Sequence, residues 1–280
     1  MAQSAFQKKK YFGQNFLNNK KILEGMVSAA EISKKDIVLE VGPGLGSLTE
    51  VLALKAKKVI AIEKDRDLIP ILKEKFKNTK NVEIIHGDIL TSPLTPLLRK
   101  ERGRIENRFK VVANIPYYIT GKFLRLFLTQ TRFRPHVMVL MIQKEVAERI
   151  MGTRLRQGSG EAQKESLLSL SVKAYGKPTI MRTVSKNFFS PPPKVDSAII
   201  KISDISDKWF VKHSMFDKPF FEILRTAFQQ KRKMLRHSLG RSTAKWQLSG
   251  QVLEKYGNKR PEDLSLEDWA KIIGSFRLVL

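Results

Sequence analysis

The chain has 280 residues, of which 42% are hydrophobic, so it is long enough for one large domain with a substantial core and a smaller second domain. It contains no cysteine, which excludes disulfides, iron–sulfur clusters, cysteine-based zinc sites and thiol catalysis. The net charge of +25 indicates an extended polyanionic partner, with nucleic acid as the first candidate and anionic lipid or mere solubility as alternatives.

An aromatic segment follows the basic N-terminal tail. Tyr11 to Leu17 places aromatic rings and amides around one glycine, which a free tail would not normally carry. We interpret this segment as a strap that anchors the N-terminus on the core, and we leave open whether Asn15 also contacts a ligand. An amphipathic pattern then predicts a helix over Asn18 to Ala30.

A glycine-rich turn follows the first predicted strand, Ile37 to Val41. The turn is Gly42-Pro43-Gly44-Leu45-Gly46, and a helical pattern begins directly after it. This strand–turn–helix unit is typical of nucleotide sites in doubly wound sheets. The glycine spacing departs from the dinucleotide fingerprint, because Ser47 stands where that fingerprint has its third glycine. It resembles the first motif of class I methyltransferases, which bind S-adenosylmethionine.

Two carboxylates follow the next two predicted strands. Glu63 ends the strand Val59 to Ile62, 21 residues beyond Gly42, where a carboxylate can accept hydrogen bonds from ribose hydroxyls. Asp88 follows the strand Val82 to Ile85. A surface ion pair is the alternative for the first carboxylate, and an Asx turn or a helix cap is the alternative for the second.

A fourth strand end carries the most informative stretch of the chain. The β-branched run Val111 to Ala113 stops at Asn114, and Pro116 and Tyr117 follow. An amide, a backbone carbonyl and an aromatic ring therefore meet where open α/β sheets bind ligands, which predicts a site for a flat, hydrogen-bonding ring. A turn with Asn114 as a local cap is the alternative. Four such strand ends together are a combination that chance rarely produces.

The second half of the chain continues the sheet and adds a rigid loop. We expect a charged surface insertion at Arg99 to Arg108 and a loop at Gly152 to Glu165. The predicted elements are the strands His136 to Ile142, Leu167 to Ala174, Ile180 to Val184 and Ala198 to Ile202, and the helix Gln143 to Met151. Pro191 to Pro193 are expected to stiffen a loop that presents Phe189 for stacking on a base.

After Asp204 the pattern changes to helices. The predicted helices are Phe220 to Leu239, Gln247 to Tyr256 and Leu266 to Phe276, so we divide the chain into a domain over 1–206 and a small helical domain over 207–280. The first of these helices combines an apolar stripe with a basic face, which predicts contact with RNA phosphates. A merely solvated face is the alternative. The basic residues are Arg225, Lys231, Arg232, Lys233 and Arg236.

Taken together, the motifs resemble the ribosomal RNA small-subunit adenine dimethyltransferases, the kasugamycin-sensitivity family, and more distantly the macrolide-resistance rRNA methylases. The similarity runs from about Tyr11 to Ser275. Ala227 to Leu239 is similar to the dimethyltransferases rather than to the resistance methylases. Besides Glu63 and Asp88, the motifs that carry the resemblance are Gly13 to Leu17, Glu40 to Gly46, Asn114 to Tyr117, Gln143 to Arg149 and Phe189 to Ser197.

The resemblance implies an α/β fold with a class I methyltransferase (Rossmann-like) sheet and a small C-terminal helical domain. It implies an enzyme that transfers methyl groups from S-adenosylmethionine to N6 of adjacent adenosines near the 3′ end of small-subunit rRNA. The implied catalytic residues are Asn114, Pro116, Tyr117 and Phe189. The implied cofactor contacts are Asn15, Leu17, Gly42, Gly44, Glu63, Asp88, Ile89 and Asn114, with no metal.

The expected partners are small-subunit ribosomal RNA and the immature small ribosomal subunit. We expect a cytoplasmic monomer that does not enter a membrane, because no run approaches the ~20 apolar residues of a bilayer span and no apolar leader opens the chain. A non-catalytic RNA-binding assembly factor and a large-subunit rRNA adenine methylase remain alternatives. An NAD-linked oxidoreductase is disfavoured by the glycine spacing and by the lack of a plausible acid for hydride transfer.

Overall fold

The computed structural model describes residues 15–17, 19–91, 109–131, 134–152, 164–239 and 250–276. The expected insertion at Arg99 to Arg108 lies outside these residues, as does most of the expected loop at Gly152 to Glu165. The strands are β1 Phe16–Leu17, β2 Ile37–Val41, β3 Lys58–Glu63, β4 Val82–His86, β5 Phe109–Asn114, β6 Val137–Gln143, β7 Lys177–Val184, β8 Phe189–Ser190 and β9 Ser197–Ser203.

Helices alternate with the first strands and dominate the end of the chain. The α-helices are α1 Lys20–Ala29, α2 Ser47–Lys55, α3 Leu68–Lys75, α4 Thr120–Arg125, α5 Lys144–Met151, α6 Leu167–Tyr175, α7 Lys208–Lys212, α8 Asp217–Gln229, α9 Leu235–Ser238, α10 Gly250–Tyr256 and α11 Leu266–Gly274. No helix of the described segments has the length and apolarity that a membrane span requires.

Seven strands form one mixed sheet in the order β4-β3-β2-β5-β6-β9-β7. The strands from β4 to β6 pair in parallel, and β9 then pairs antiparallel with β6. Strands β2, β3 and β5 are almost wholly buried, as expected for parallel strands that are covered on both faces. Because the strand order reverses between β2 and β5, the carboxyl ends of these two strands flank a switch point, where such sheets bind ligands.

The described residues fall into two compact units, one within Met1–Ala147 and Thr179–Ile205 and the other within Glu148–Pro178 and Ser206–Leu280. The first unit contains most of the sheet, and its core packs α1 and α2 against strands β2, β5 and β6. The second unit is helical around the buried Trp269 and a cluster of aromatic rings that includes Tyr175, Phe210 and Phe221. A functional division at residues 206 and 207 stays a prediction.

The segment from Leu167 to Ala174 was predicted to be a strand, and this prediction is wrong. It lies in helix α6, Leu167–Tyr175. The Ser166 side chain accepts from the Ser169 N–H, and the Ser169 hydroxyl oxygen accepts from the Ser166 N–H. This capping box starts a helix, and Gly176 ends it in an extended conformation. The alternation of leucine and serine, which suggested a strand, therefore lies within a helix whose buried residues include Leu170 and Val172.

The long helix predicted over Phe220 to Leu239 is also interrupted. Helix α8 ends at Gln229, and the next helix begins at Leu235. A later segment of the chain stabilises this interruption, because the Leu235 N–H donates to the Lys259 carbonyl at 2.8 Å. The basic residues 231–233 therefore lie in a turn and not on a helical face.

Candidate active site

A cavity of about 530 Å³ opens at the carboxyl ends of β2, β3, β4 and β5. Its size suits a small-molecule ligand. Phe189 is the one implied catalytic or cofactor-binding residue that does not line it. The cavity brings together Asn15, Leu17, Gly42, Gly44, Glu63, Asp88, Ile89, Asn114, Pro116 and Tyr117.

The glycine-rich turn between β2 and α2 forms the floor of the cavity. Its three glycines all have positive φ, a conformation that other residues rarely adopt. Gly44 lies against the ring of Phe16, since a Cβ at this position would come within 2.9 Å of that ring. A Cβ at Gly46 would come within 2.7 Å of the Phe76 ring on the other side. The loop therefore admits no side chain at these two positions without displacing an aromatic ring.

Glu63 is held at the end of β3 by backbone groups. Its Oε2 accepts from the Gly44 N–H at 3.1 Å, and its Oε1 accepts from the Asp65 N–H at 2.8 Å. The side chain is 7% exposed. Burial raises the pKa of Glu63, although the hydrogen bonds from Asp65 and Gly44 act in the opposite direction. A third backbone hydrogen bond comes from Lys64, and a carboxylate has about four lone-pair sites, so Glu63 keeps acceptor capacity for a ligand hydroxyl.

Asp88 lies next to Glu63, because the Gly87 N–H donates to the Glu63 backbone carbonyl at 2.9 Å. Its Oδ1 accepts from the Leu90 N–H at 2.9 Å, which is the Asx turn considered as the alternative. Its Oδ2 lies 2.9 Å from the Lys64 ammonium. Burial would raise the pKa of Asp88, but the hydrogen bonds from Lys64 and Leu90 outweigh it and lower the pKa. An ionised acceptor therefore faces the cavity beside the buried Ile89.

Asn114 ends β5 with its side chain directed towards the N-terminal segment. Its Nδ2 donates to the Asn15 backbone carbonyl at 3.3 Å. This bond uses a donor of the amide, so the acceptor of the same amide, Oδ1, is not engaged by it. The Pro116 carbonyl accepts from the Ile119 N–H at 3.1 Å, where a single helical turn begins. A carbonyl oxygen has two lone pairs, so Pro116 retains acceptor capacity.

Two tyrosines follow Pro116 and differ in exposure. The Tyr117 hydroxyl is 2.7 Å from the Oγ of Ser197, a buried residue at the start of β9. This contact fixes the Tyr117 ring at the cavity wall, and burial raises the pKa of its phenol. Tyr118 is 60% exposed and also lines the cavity. The tyrosine pair therefore offers one anchored ring and one ring that faces solvent.

Phe189 lies in the core, in contrast to the prediction that a stiff loop presents it for stacking on a base. Phe189 lies in β8, which pairs with β1 so that Phe189 is opposite Leu17. Its side chain is 4% exposed and belongs to the core of the first unit. This short ribbon turns the ring inward, so the loop does not present Phe189 as predicted, and a role of Phe189 in base stacking stays a prediction. The neighbouring Phe188 is 42% exposed, a residue that the sequence reasoning passed over.

Glu40 is another cavity residue that the sequence reasoning did not select as a site residue. It lies two residues before Gly42 and is 1% exposed. Its Oε2 has no hydrogen-bond partner among the residues that the structure describes. Burial raises the pKa of Glu40 to about 8. The sequence did carry a sign of this residue, because an acidic side chain inside an apolar strand, just before the glycine turn, is unusual.

With this geometry established, comparison with known proteins identifies the family. The model of the family described as "Ribosomal RNA adenine dimethylase" matches residues 5–277. The chain belongs to this family. It is an S-adenosylmethionine-dependent methyltransferase of ribosomal RNA adenine, which confirms the predicted family, enzyme class and cofactor.

Curated relatives of this dimethylase are similar over nearly its whole length. The chain is 38% identical over 271 residues to "Ribosomal RNA small subunit methyltransferase A" of Dehalococcoides mccartyi (strain CBDB1), covering 94% of this chain and 87% of the relative. It is also 38% identical over 271 residues to the protein of the same name from Clostridium botulinum (strain Langeland), covering 95% of this chain and 93% of the relative.

Solved structures of similar proteins have the same fold. A dimethyladenosine transferase from Plasmodium falciparum has a TM-score of 0.74 and 29% sequence identity, covering 93% of this chain and 99% of that chain. The 23S rRNA methyltransferase ErmE has a TM-score of 0.68 at 23% identity, covering 92% of this chain and 98% of that chain. These similarities confirm the predicted class I methyltransferase fold of the dimethylase.

The cavity of the dimethylase has the groups that S-adenosylmethionine requires. Glu63 can accept from ribose hydroxyls, and Asp88 beside Ile89 can accept from an adenine amine next to an apolar surface. Glu63 and Asp88 place two acidic groups in the cavity, which suits a cationic sulfonium and ammonium. A Cβ at Gly42 would meet only the Pro116 ring, at 4.0 Å, so the backbone of the turn is open to a ligand at this position. The individual residue roles stay predictions.

The five predicted RNA-binding residues of the dimethylase are all exposed. Arg225 is on α8 and Arg236 is on α9, whereas residues 231–233 form the turn between these helices. The Arg236 N–H donates to the Gly257 carbonyl at 3.1 Å, which brings the exposed Lys259 next to this turn. The basic surface therefore includes a segment from the following loop.

Proposed function

We propose that this dimethylase transfers methyl groups to N6 of two adjacent adenosines near the 3′ end of small-subunit rRNA. The substrate is the immature small ribosomal subunit, and the protein acts as a cytoplasmic monomer. One observation supports this above all: acceptors at Asn114 and Pro116 share a cavity with the carboxylates of Glu63 and Asp88. A site for an amine-bearing ring thus adjoins a site for a nucleoside cofactor.

The protein must make the adenine N6 amine, a poor nucleophile, react with a methyl donor. The N6 lone pair of adenine is delocalised into the ring, and the nitrogen must become pyramidal to attack. The Asn114 Oδ1 and the Pro116 carbonyl accept from the two N6 hydrogens and so favour the pyramidal geometry. S-adenosylmethionine, when bound, supplies the methyl group. Tyr117, anchored through Ser197, holds the extruded base in place.

A second methylation uses the same acceptors. The monomethylated amine retains one N6 hydrogen, which one of the two acceptors can still bind. The product of the first transfer can therefore bind the same cavity a second time. We therefore expect the enzyme to produce N6,N6-dimethyladenosine and not only the monomethyl product.

The choice of the small subunit rests on the relatives. The two curated relatives named above are 38% identical and are named for the small subunit. The structure of the 23S rRNA methyltransferase is 23% identical, which supports the shared fold alone. The family assignment and the acceptor-lined cavity disfavour a non-catalytic assembly factor, because such a protein needs the basic surface but not these acceptors.

The test is methyl transfer to purified ribosomal subunits. Small and large subunits from a strain that lacks this gene are incubated with the protein and labelled S-adenosylmethionine. Nucleosides are then quantified by mass spectrometry, and the sites are located by primer extension. We expect two N6,N6-dimethyladenosines per small subunit and none on the large subunit. Modification of large subunits alone would favour the large-subunit alternative, and binding without transfer would favour the assembly factor.

A further inference from the structure

Tyr118 and Lys122 form a pair at the rim of the cavity that the proposed chemistry does not use. Both line the cavity and both are exposed. They are four residues apart, across the turn Tyr117–Ile119 and the first turn of α4, a spacing that places side chains next to each other. An aromatic ring and an ammonium group are thus neighbours at the opening.

The orientation of this pair is set by the buried side of α4, which consists of Thr120, Phe123 and Leu124. Phe123 and Leu124 are fully buried, and the Phe123 ring packs on Phe127 with a centroid distance of 4.8 Å. The buried Thr120 hydroxyl donates to the Tyr117 carbonyl at 3.1 Å. Because these contacts fix the rotation of the helix about its axis, Lys122 is directed to solvent and not into the core.

The charge distribution around the cavity distinguishes Lys122 from the other cation there. The ligand-binding end is acidic, and Lys64 is paired there with Asp88 at 2.9 Å. Lys122 has no carboxylate partner in the part of the chain that the structure describes. An RNA strand that approaches the carboxyl groups of Glu63 and Asp88 is repelled unless a cation compensates locally. Lys122 is the described cavity cation that is available for this purpose.

An adenosine that enters the cavity remains joined to the RNA chain by its phosphodiesters. Enzymes that modify a base extrude it from the stack, so the adjoining phosphate stays outside the pocket while the base is inside. The rim of the cavity is therefore where a phosphate and a neighbouring base meet the protein. An ammonium group can bind the phosphate, and an exposed aromatic ring can stack on the neighbouring base.

We propose that Lys122 binds the phosphodiester beside the target adenosine and that Tyr118 stacks on the adjacent base of the rRNA strand. This inference rests on the proposed function and names the residues that dock the strand at the site. Lys122 and Tyr118 are positioning residues, since neither contacts the N6 amine. Their removal should weaken docking of the RNA without weakening binding of the cofactor.

The test compares Lys122→Gln, Lys122→Arg and the matched surface control Lys73→Gln on α3. Equilibrium binding to unmethylated small subunits is measured over a range of salt in the presence of S-adenosylhomocysteine, and kcat/KM is measured alongside. We expect Lys122→Gln to weaken binding and lower kcat/KM about tenfold and to reduce the slope of log affinity against log salt by about 0.7 to 0.9. Lys122→Arg and Lys73→Gln should stay close to the unsubstituted protein.

Tyr118 is tested with Tyr118→Ala and Tyr118→Phe in the same assays. The first should weaken binding about tenfold and the second should retain it, since only the ring is needed for stacking.

Unchanged subunit binding and salt slope for Lys122→Gln would overturn the proposal. So would a comparable loss of S-adenosylhomocysteine affinity in calorimetry, because Lys122 would then bind the cofactor carboxylate. If the unsubstituted protein transfers no methyl groups, the proposed function fails, while the binding data still decide the role of Lys122.

Discussion

The side-chain nitrogen of Asn114 donates a hydrogen bond to the backbone carbonyl of Asn15, 99 residues earlier in the chain, at 3.3 Å. This contact orients the amide. Because the nitrogen is committed to the N-terminal segment, the oxygen is the atom that can accept from a substrate amine. The contact therefore relates the position of the N-terminal strap to the acceptor geometry of the site.

Replacing Asn114 by alanine should abolish most methyl transfer. The change removes one preorganised acceptor from the reacting amine, for which a loss of about 10²-fold or more in the rate of the chemical step is expected. Single-turnover methylation of small subunits at saturating cofactor measures this step. Unchanged thermal unfolding and unchanged S-adenosylhomocysteine affinity are the controls. A near-normal chemical step would mean that Asn114 only caps the turn.

Phe188 and Phe189 provide a matched pair for separating RNA contact from stability. Phe189→Ala should lower the free energy of unfolding by about 3–5 kcal/mol, because the ring is buried in the core. Phe188→Ala should leave stability nearly unchanged, because that ring is exposed, and should weaken subunit binding by about 1–3 kcal/mol if the ring stacks on a base. Chemical denaturation and subunit binding measure the two effects. The reverse pattern would restore Phe189 as the stacking residue.

Glu63→Ala should weaken S-adenosylmethionine binding by about 2 kcal/mol, the magnitude typical of lost charge-assisted hydrogen bonds. The carboxylate also accepts from the Gly44 N–H, so the change loosens the glycine turn that forms the cavity floor. Calorimetry with the cofactor measures the loss, and subunit binding in the absence of cofactor is the control. Unaltered cofactor affinity would remove Glu63 from the cofactor site.

Glu40 should make the stability of the ligand-free protein depend on pH. Its pKa is about 8 in the folded protein against 4.5 as the ordinary value, so the folded state holds the proton more tightly. The contribution to stability is fully present below pH 4.5 and is lost as the pH rises through 8.

Comparison with Glu40→Gln isolates this contribution. The variant cannot ionise, so at pH 8 it should be more stable than the unsubstituted protein by a few kcal/mol, and the difference should vanish near pH 4.5. Urea unfolding at both pH values measures the difference. A pH-independent difference would show that burial does not perturb this carboxyl.

Neutralising Arg232 and Lys233 together should weaken small-subunit binding and flatten its salt dependence by about one unit of slope per lost phosphate contact. Both side chains are exposed in the turn between α8 and α9. The control is the affinity for S-adenosylmethionine, which should not change. An unaltered salt slope would assign these charges to solubility.

The sheet and most of the cavity followed from the sequence because their signals are local. A buried parallel strand is a short apolar run, and the residue that ends it must lie at the ligand edge of the sheet. Glu63, Asp88 and Asn114 could therefore be placed from their positions after such runs. The cavity unites all three.

Two of the errors arose where long-range contacts decide the outcome. The turn after Gln229 depends on a hydrogen bond from Leu235 to Lys259, which no local pattern reveals. The inward rotation of Phe189 depends on pairing with Leu17, a partner 172 residues away in the chain. Glu40 was named within a motif but not selected as a site residue, because an acid inside a buried strand contradicts the pattern that identified the strand.

The ribbon of β1 and β8 has a thermodynamic consequence. Phe16, which lies over Gly44 in the cavity, is paired with Ser190 of the proline-rich loop. A ligand that stabilises the strap therefore also stabilises the loop, and the reverse holds by reciprocity. If the exposed Phe188 beside this ribbon contacts RNA, cofactor and RNA should raise each other's affinity by the same factor, so the enzyme would bind its ribosomal substrate more tightly when it already carries a methyl donor.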